Sequence, residues 1–122
     1  MKLAIVGSRD FNDYEFLKRI IAHHPCTQII SGGARGADAL AKRYATEHGI
    51  PIQECMPNWE VYGKSAGFLR NEQIVKACDE LVAFWDGKSR GTKHSLTLAE
   101  NAGKPVYKYW PPEPDLTEGI GI

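Results

Sequence analysis

Cysteine is scarce in this chain: Cys26, Cys55 and Cys78 are far apart and odd in number. No CxxC pair and no Cys/His cluster with zinc spacing occurs, which argues against a disulfide framework and against a structural metal. The three residues read as reduced, mostly buried thiols of a cytoplasmic protein. Net charge is lacking as well, because 15 Lys and Arg balance 15 Asp and Glu. Non-specific DNA binding rests on neutralised phosphates and usually needs a basic face, so the balance disfavours nucleic acid as a partner. Long apolar runs are absent: no stretch approaches the roughly 18 residues of a membrane span. The amino terminus enters a strand pattern at once and meets Gly7, leaving no room for a secretory h-region. Neither secretion nor membrane insertion is expected. No internal repeat or low-complexity tract appears.

What is present is an ordinary globular composition, 43% hydrophobic and 25% charged, over 122 residues. That length fits one domain with one real core. Apolar, β-rich runs occur five times, at Leu3–Ser8, Gln28–Gly32, Ile52–Met56, Glu80–Trp85 and Val106–Trp110. Runs such as LAIVG and ELVAFW suit strands buried on both faces. Helical stripes lie between them. Ala37, Leu40, Ala41, Tyr44 and Ala45 recur at i, i+3, i+4, i+7 and i+8, and Gly49-Ile50-Pro51 ends that helix. Leu17, Ile20, Ile21 and His24 form another stripe, opened by Asn12 with Glu15 in a capping-box spacing. Strands alternating with helices predict βαβ units. The expected fold is therefore α/β: a single Rossmann-like three-layer domain, residues 1–110, with a mostly parallel five-stranded sheet. Residues 111–122, with three prolines and two glycines, read as a tail.

In such a sheet, ligands sit outside the carboxyl ends of the strands. The loops there are rich in small and polar residues. After the first strand comes Gly7-Ser8-Arg9-Asp10, either a plain βα turn or a loop that lets a phosphate approach. After the second comes Ser31-Gly32-Gly33-Ala34-Arg35-Gly36-Ala37-Asp38. Three glycines in five residues free backbone N–H groups at a helix N-terminus, where the macrodipole favours an anion. The loop is neither a Walker A motif nor a strict GxGxxG. Asp38 there either caps the helix, the favoured role, or binds a ribose hydroxyl. After the third strand, Trp59 and Tyr62 either stack on a base or cover the sheet end. Arg70 lies in line with Ile74, Ala77 and Cys78 on the inward helix face, beside Asn71. It points into the crevice toward an anion, or else makes a buried ion pair. After the fourth strand, Asp86, Ser89, Arg90, Gly91 and Thr92 offer a second anion or ribose contact. Thr92 and Ser95 share a helical line with Ala99 and Ala102. His94 has no evident partner, and no Ser-His-Asp, Cys-His or metal set can be assembled. No cofactor is called for.

These loops together resemble the SLOG superfamily and, within it, the YspA-type branch. The likeness rests on VGSRDF (Val6 to Phe11), SGGARGADALAKRYA (Ser31 to Ala45), the W..YG..AG..RN block (Trp59 to Asn71) and LVAFWDGKSRGT (Leu81 to Thr92). The superfamily includes the cytokinin-activating LOG phosphoribohydrolases and the DNA-processing protein A (Smf) group. The resemblance implies a Rossmann-like fold, a nucleotide-derived small-molecule ligand and, often, a homodimer. In LOG enzymes an arginine and a glutamate cleave the bond between base and ribose 5-phosphate. The arginine's place falls on Arg70, but the glutamate's falls on Ser95, whose hydroxyl cannot do a carboxylate's work. The expected function is thus binding of a nucleotide derivative, by sensing, carrying or sequestering it. The alternative is a nucleoside 5′-monophosphate phosphoribohydrolase using Arg70, with Asp38, Glu72 or Asp86 replacing the missing carboxylate.

Overall fold

The computed structural model describes residues 1–111, so the stretch read as a tail lies, beyond Pro111, outside the described residues. All five predicted strands form, as β1 (Lys2–Gly7), β2 (Gln28–Ser31), β3 (Ile52–Glu54), β4 (Glu80–Phe84) and β5 (Val106–Tyr109). The helices are α1 (Tyr14–Ile21), α2 (Ala37–Glu47), a short α3 (Trp59–Tyr62), α4 (Ala66–Ala77) and α5 (Arg90–Asn101), with one 3₁₀ turn between α3 and α4. Strand order is β3-β2-β1-β4-β5 and every pairing is parallel. The fold is a Rossmann-like three-layer α/β sandwich.

The two-residue period of the strands sorts their side chains into two cores. Leu3, Ile5, Ile29, Val82 and Phe84 face α1 and α2 and meet Phe16, Leu17, Ile20, Ile21, Ala41 and Tyr44. Ala4, Val6, Ile30, Leu81 and Ala83 face α4 and α5 and meet Ile74, Val75, Leu96 and Ala99. A wholly buried Phe or Leu contributes roughly 1.5–3 kcal/mol, so central strands of this kind dominate the stability. The run LAIVG needed no alternation of polar residues because both of its faces are dry.

The start of α1 differs from expectation. Asp13, not Asn12, is the N-cap, and its side chain accepts a hydrogen bond from the Phe16 amide at 3.0 Å. The preceding Phe11 explains the shift. It is buried, stacks on Phe84 with 4.8 Å between centroids, and meets Phe16 edge-on at 6.2 Å. That anchor draws the chain down onto the core three residues before the helix begins.

Two polar fastenings hold the far side of the sheet. Lys104, just before β5, lays its ammonium against the last carbonyls of α4, donating to Cys78 O at 2.6 Å and to Val75 O. A cation at a helix C-terminus satisfies orphan carbonyls and complements the dipole. His24 is buried, with Nε2 3.0 Å from the Tyr109 hydroxyl and its ring 4.7 Å from that of Tyr107. Burial pushes its pKa below the ordinary 6.5, with His23 adding to the fall and Glu80 opposing it.

Two outcomes follow. Lys104→Met should lower stability by about 1.5–3 kcal/mol, since it removes charged hydrogen bonds and strands buried carbonyls. A urea midpoint equal to wild type would remove that role. For His24 the unfolded chain binds more protons than the native one near neutrality. The stability it contributes is present above pH 6.5 and is lost as pH falls through that value toward its folded pKa. Melting temperatures taken at about pH 7.5 and about pH 5.5 should converge in His24→Gln relative to wild type; equal acid-induced falls in both proteins would refute it.

Candidate functional site

The chain runs from β1 to β2 and β3 on one side, then returns through α4 to place β4 on the other edge of β1. The loops after β1 and β4 therefore diverge, and a crevice opens between them at the carboxyl ends. A cavity of about 440 Å³ occupies this place, within the range of ligand pockets. Of the residues singled out in the sequence, Gly7, Arg9, Ala34, Arg35, Asp38, Arg70, Asn71, Asp86, Ser89, Gly91 and Thr92 line it. A neighbouring cavity of about 390 Å³ takes in Gly32, Gly33 and Trp59, and shares Arg9, Ala34, Arg35 and Arg70 with the first.

Ser8, Ser31, Gly36 and Arg90 line neither cavity. Ser8 is buried and fastens three elements: its carbonyl accepts from Ala37 N at 3.3 Å, its amide donates to Phe84 O, and its hydroxyl faces the Asp86 amide at 3.4 Å. Gly36 sits at φ +75°, where a Cβ would lie 2.4 Å from the carbonyl oxygens of Ser8 and Arg9. Only glycine allows α2 to begin so close to the β1 loop. Ser31 is fully buried. Arg90 is exposed at the first position of α5.

Arg70 links the two halves of the crevice. Its Nη1 donates to Gly32 O at 2.8 Å and its Nε to Asn71 Oδ1 at 2.9 Å. The buried ion pair considered from sequence is thus replaced by a carbonyl and an amide. Asn71 in turn donates to Gly91 O at 3.3 Å and to His94 Nδ1 at 3.1 Å, giving His94 the partner its sequence did not reveal. A Cβ on Gly32 would lie 2.6 Å from Arg70 Nη1 and 2.9 Å from Asp38 Oδ2, so a side chain there displaces one of these two heads.

Asp38 does not cap α2; that position belongs to Gly36, with no side-chain cap bond. Its Oδ2 instead accepts the amide of Ala34 at 3.1 Å, closing the glycine-rich loop onto the first turn. Its Oδ1 is buried without a hydrogen-bond partner, as is the Ser31 hydroxyl. Burial raises the Asp38 pKa, while the Ala34 amide, Arg70 and the nearby Ser31 hydroxyl favour the ionised form.

The other two carboxylates proposed as replacements differ. Asp86 Oδ1 accepts the amides of Lys88 and Ser89, both at 2.8 Å, and these hold its carboxyl below the ordinary value. Glu72 borders a separate cavity with Tyr62, Leu69, Gln73 and Lys76. Ser95 is buried at the cavity wall, and its hydroxyl bonds back to Gly91 O at 3.4 Å. Of the three carboxylates, Asp38 alone combines burial with a place in the crevice.

The sequence reading missed Val6, Asp10, Ile74 and Lys88 in the first cavity and Met56 and Pro57 in the second. Asp10 and Lys88 sit inside loops already singled out, so their position was the available signal; Val6 and Ile74 carried only a core signal. The first cavity presents Arg9, Arg35, Arg70 and Lys88 against Asp10, Asp38 and Asp86, with the first turns of α2 and α5 at its walls. Such a surface favours an anion. Among the described residues no group of three His, Cys, Asp or Glu side chains can hold a metal ion, and no helix is long and apolar enough to cross a membrane.

Two solved structures share this architecture. DNA processing protein A from Streptococcus pneumoniae matches with a TM-score of 0.73 at 20% identity over 88% of this chain. This chain spans about half of that protein, 49% of its length. DNA processing protein A from Helicobacter pylori matches with a TM-score of 0.69 at 22% identity, covering 98% of this chain and 71% of that one. The latter is described for a unique mode of binding single-stranded DNA. The reading that disfavoured nucleic acid as a partner is corrected by this finding: balanced total charge does not exclude nucleic acid for a protein of this fold.

In sequence, the Gene 61 protein of Mycobacterium phage D29 is 40% identical over 87 residues, which are 66% of this chain and 70% of that protein. Residues 1–62 match the model of the YspA, cpYpsA-related SLOG family. With half the chain matched to that model and a relative at this identity, the chain belongs to the YspA, cpYpsA-related SLOG family.

Proposed function

We propose that the crevice between β1 and β4 binds a nucleotide-derived small molecule, and that the protein senses, carries or sequesters it. One observation carries this reading: the first turns of α2 and α5 and the Arg70 guanidinium converge on a single cavity at the switch point of the sheet. Helix N-termini and a forked guanidinium both select phosphate oxygens, although the Asp38 carboxyl in the first turn of α2 offsets part of that positive charge. The hydrolase alternative has less support. The position of its glutamate holds Ser95, whose hydroxyl is engaged with Gly91 O.

A second reading, single-stranded nucleic acid on the α3–α4 rim, is favoured by a different observation. Trp59, Tyr62 and Phe68 are each more than half exposed there, at 53%, 54% and 56%. Exposed aromatic faces beside guanidinium groups stack unpaired bases. Retention of an oligonucleotide that weakens steeply with salt would select this reading.

The deciding experiment incubates the purified protein with nucleoside monophosphates, NAD, ADP-ribose and cyclic nucleotides, then analyses protein and filtrate by mass spectrometry. An intact compound in the protein fraction is the expected result. Free base with ribose phosphate in the filtrate would show a hydrolase instead, and an empty protein fraction would remove the small-molecule reading. For whichever compound is retained, Arg70→Ala should weaken binding by between about tenfold and 150-fold, the worth of a lost charged hydrogen bond. An unchanged dissociation constant would take Arg70 out of the site.

A further inference from the structure

Arg70 is held at the crevice by a neighbour that is itself held from another helix. Asn71 is buried, and its amide oxygen and both its amide protons are engaged. A guanidinium can only donate, so the amide atom that faces Arg70 Nε is the oxygen. A backbone carbonyl can only accept, so the atom that faces Gly91 O is the nitrogen. These two contacts set the orientation of the amide without reference to His94. The second amide proton is then directed at His94 Nδ1, 3.1 Å from the amide nitrogen, and that ring nitrogen has to accept it. An imidazole nitrogen that accepts carries no proton, so the proton of the neutral ring sits on Nε2. Resting on the nucleotide-binding reading above, we infer that His94 is a positioning residue: as an acceptor it holds the Asn71 amide and, through it, the Arg70 guanidinium at the crevice.

His94 lines neither cavity, so it acts through Asn71 and not on a ligand. Its ring is fixed from the other side of the helix pair, where Phe68 of α4 meets it edge-on with 4.7 Å between centroids. Two pulls act on the guanidinium. The Asp38 carboxyl stands beside Arg70 Nη1 at Gly32 and attracts it toward the glycine-rich loop. Asn71 Oδ1 holds the Nε edge on the α4 side. Without an acceptor on α5, one buried amide proton of Asn71 is left unpaired, and a buried donor in that state is costly. Asn71 then turns to find a partner, and the turn takes Oδ1 away from Arg70 Nε. With Nε and one Nη1 proton spent on Asn71 and Gly32 O, the remaining donors of Arg70 are left for a ligand. Their direction therefore depends on a residue that no ligand touches.

The experiment reads side-chain nitrogen resonances of the full chain before any ligand is added. A long-range proton–nitrogen spectrum of the wild type at about pH 8, where an ordinary imidazole is uncharged, should show His94 protonated on Nε2 and bare on Nδ1. A proton on Nδ1 overturns the inference, and this measurement needs no variant to fold. Two substitutions then separate an acceptor from a filler. His94→Asn offers an oxygen in the place of Nδ1, whereas His94→Leu fills the space beside Phe68 and accepts nothing. The Arg70 Nε–H signal should keep its wild-type position in His94→Asn and shift or broaden in His94→Leu. A role in packing alone predicts the reverse, with Leu silent and Asn disturbed, and that result overturns the inference. AMP serves as the probe in calorimetry. Its dissociation constant should rise by between about twofold and tenfold in His94→Leu, the worth of one neutral hydrogen bond, and by less than about twofold in His94→Asn. AMP bound equally by the wild type and His94→Leu overturns the inference. No AMP binding by the wild type, with the Arg70 signal still following the acceptor at residue 94, removes the nucleotide-binding reading and keeps the hold of His94 on Arg70.

Discussion

Strand β1 is paired on both edges, by β2 and by β4, and covered on both faces, by α1 and α2 on one side and α4 and α5 on the other. Leu3, Ala4 and Ile5 are without solvent exposure as a result. A parallel strand in that position cannot send its following loop in both directions. The chain after β1 must cross one face and the chain after β4 the other, so their loops part at the top of the sheet. The crevice is the space they leave. Its depth depends on how closely α2 can approach, and that is set by Gly36 lying against the backbone of Ser8 and Arg9.

The crevice is polar at a cost to stability. A carboxylate oxygen of Asp38 is buried without a partner, and burial drives its pKa upward. Leaving such a group unsatisfied costs on the order of 1–3 kcal/mol. Packing alone would put an apolar residue there. Arg70 offsets part of that cost electrostatically, and the Ala34 amide takes the other carboxylate oxygen. The Arg70–Asn71–Gly91 chain of hydrogen bonds then ties the loop after β2 to the first turn of α5. Two loops from strands on opposite sides of β1 are held at one spacing by a single side-chain bridge.

Ser95 occupies the cavity wall, and its hydroxyl turns back to the Gly91 carbonyl one helical turn away. A hydroxyl bound to its own helix neither attracts a cationic transition state nor activates water. The shape of the pocket is held by Gly36, Ser8 and Asn71 rather than by Ser95.

The sequence alone determined the five strands, their parallel arrangement and the small, polar loops at their carboxyl ends. These follow from local signals: continuous apolar runs such as LAIVG, the periodic stripe of α2, and three glycines ahead of it. The inward line of Arg70, Ile74 and Cys78 was legible for the same reason, since helical spacing decides it. What stayed hidden depends on contacts between residues distant in the chain. Asp13 displaced Asn12 as the cap because Phe11 found Phe84, some seventy residues away. Asp38 bonded the loop behind it rather than capping its helix, because the chain enters α2 through Gly36 and leaves Asp38 as its second residue. His94 gained Asn71 as a partner only when α4 and α5 packed together. Total charge misled about nucleic acid because it averages over the whole surface, whereas recognition depends on which charges the fold places side by side. Local periodicity settles which element forms; only the packing of those elements decides which polar groups face one another across the crevice.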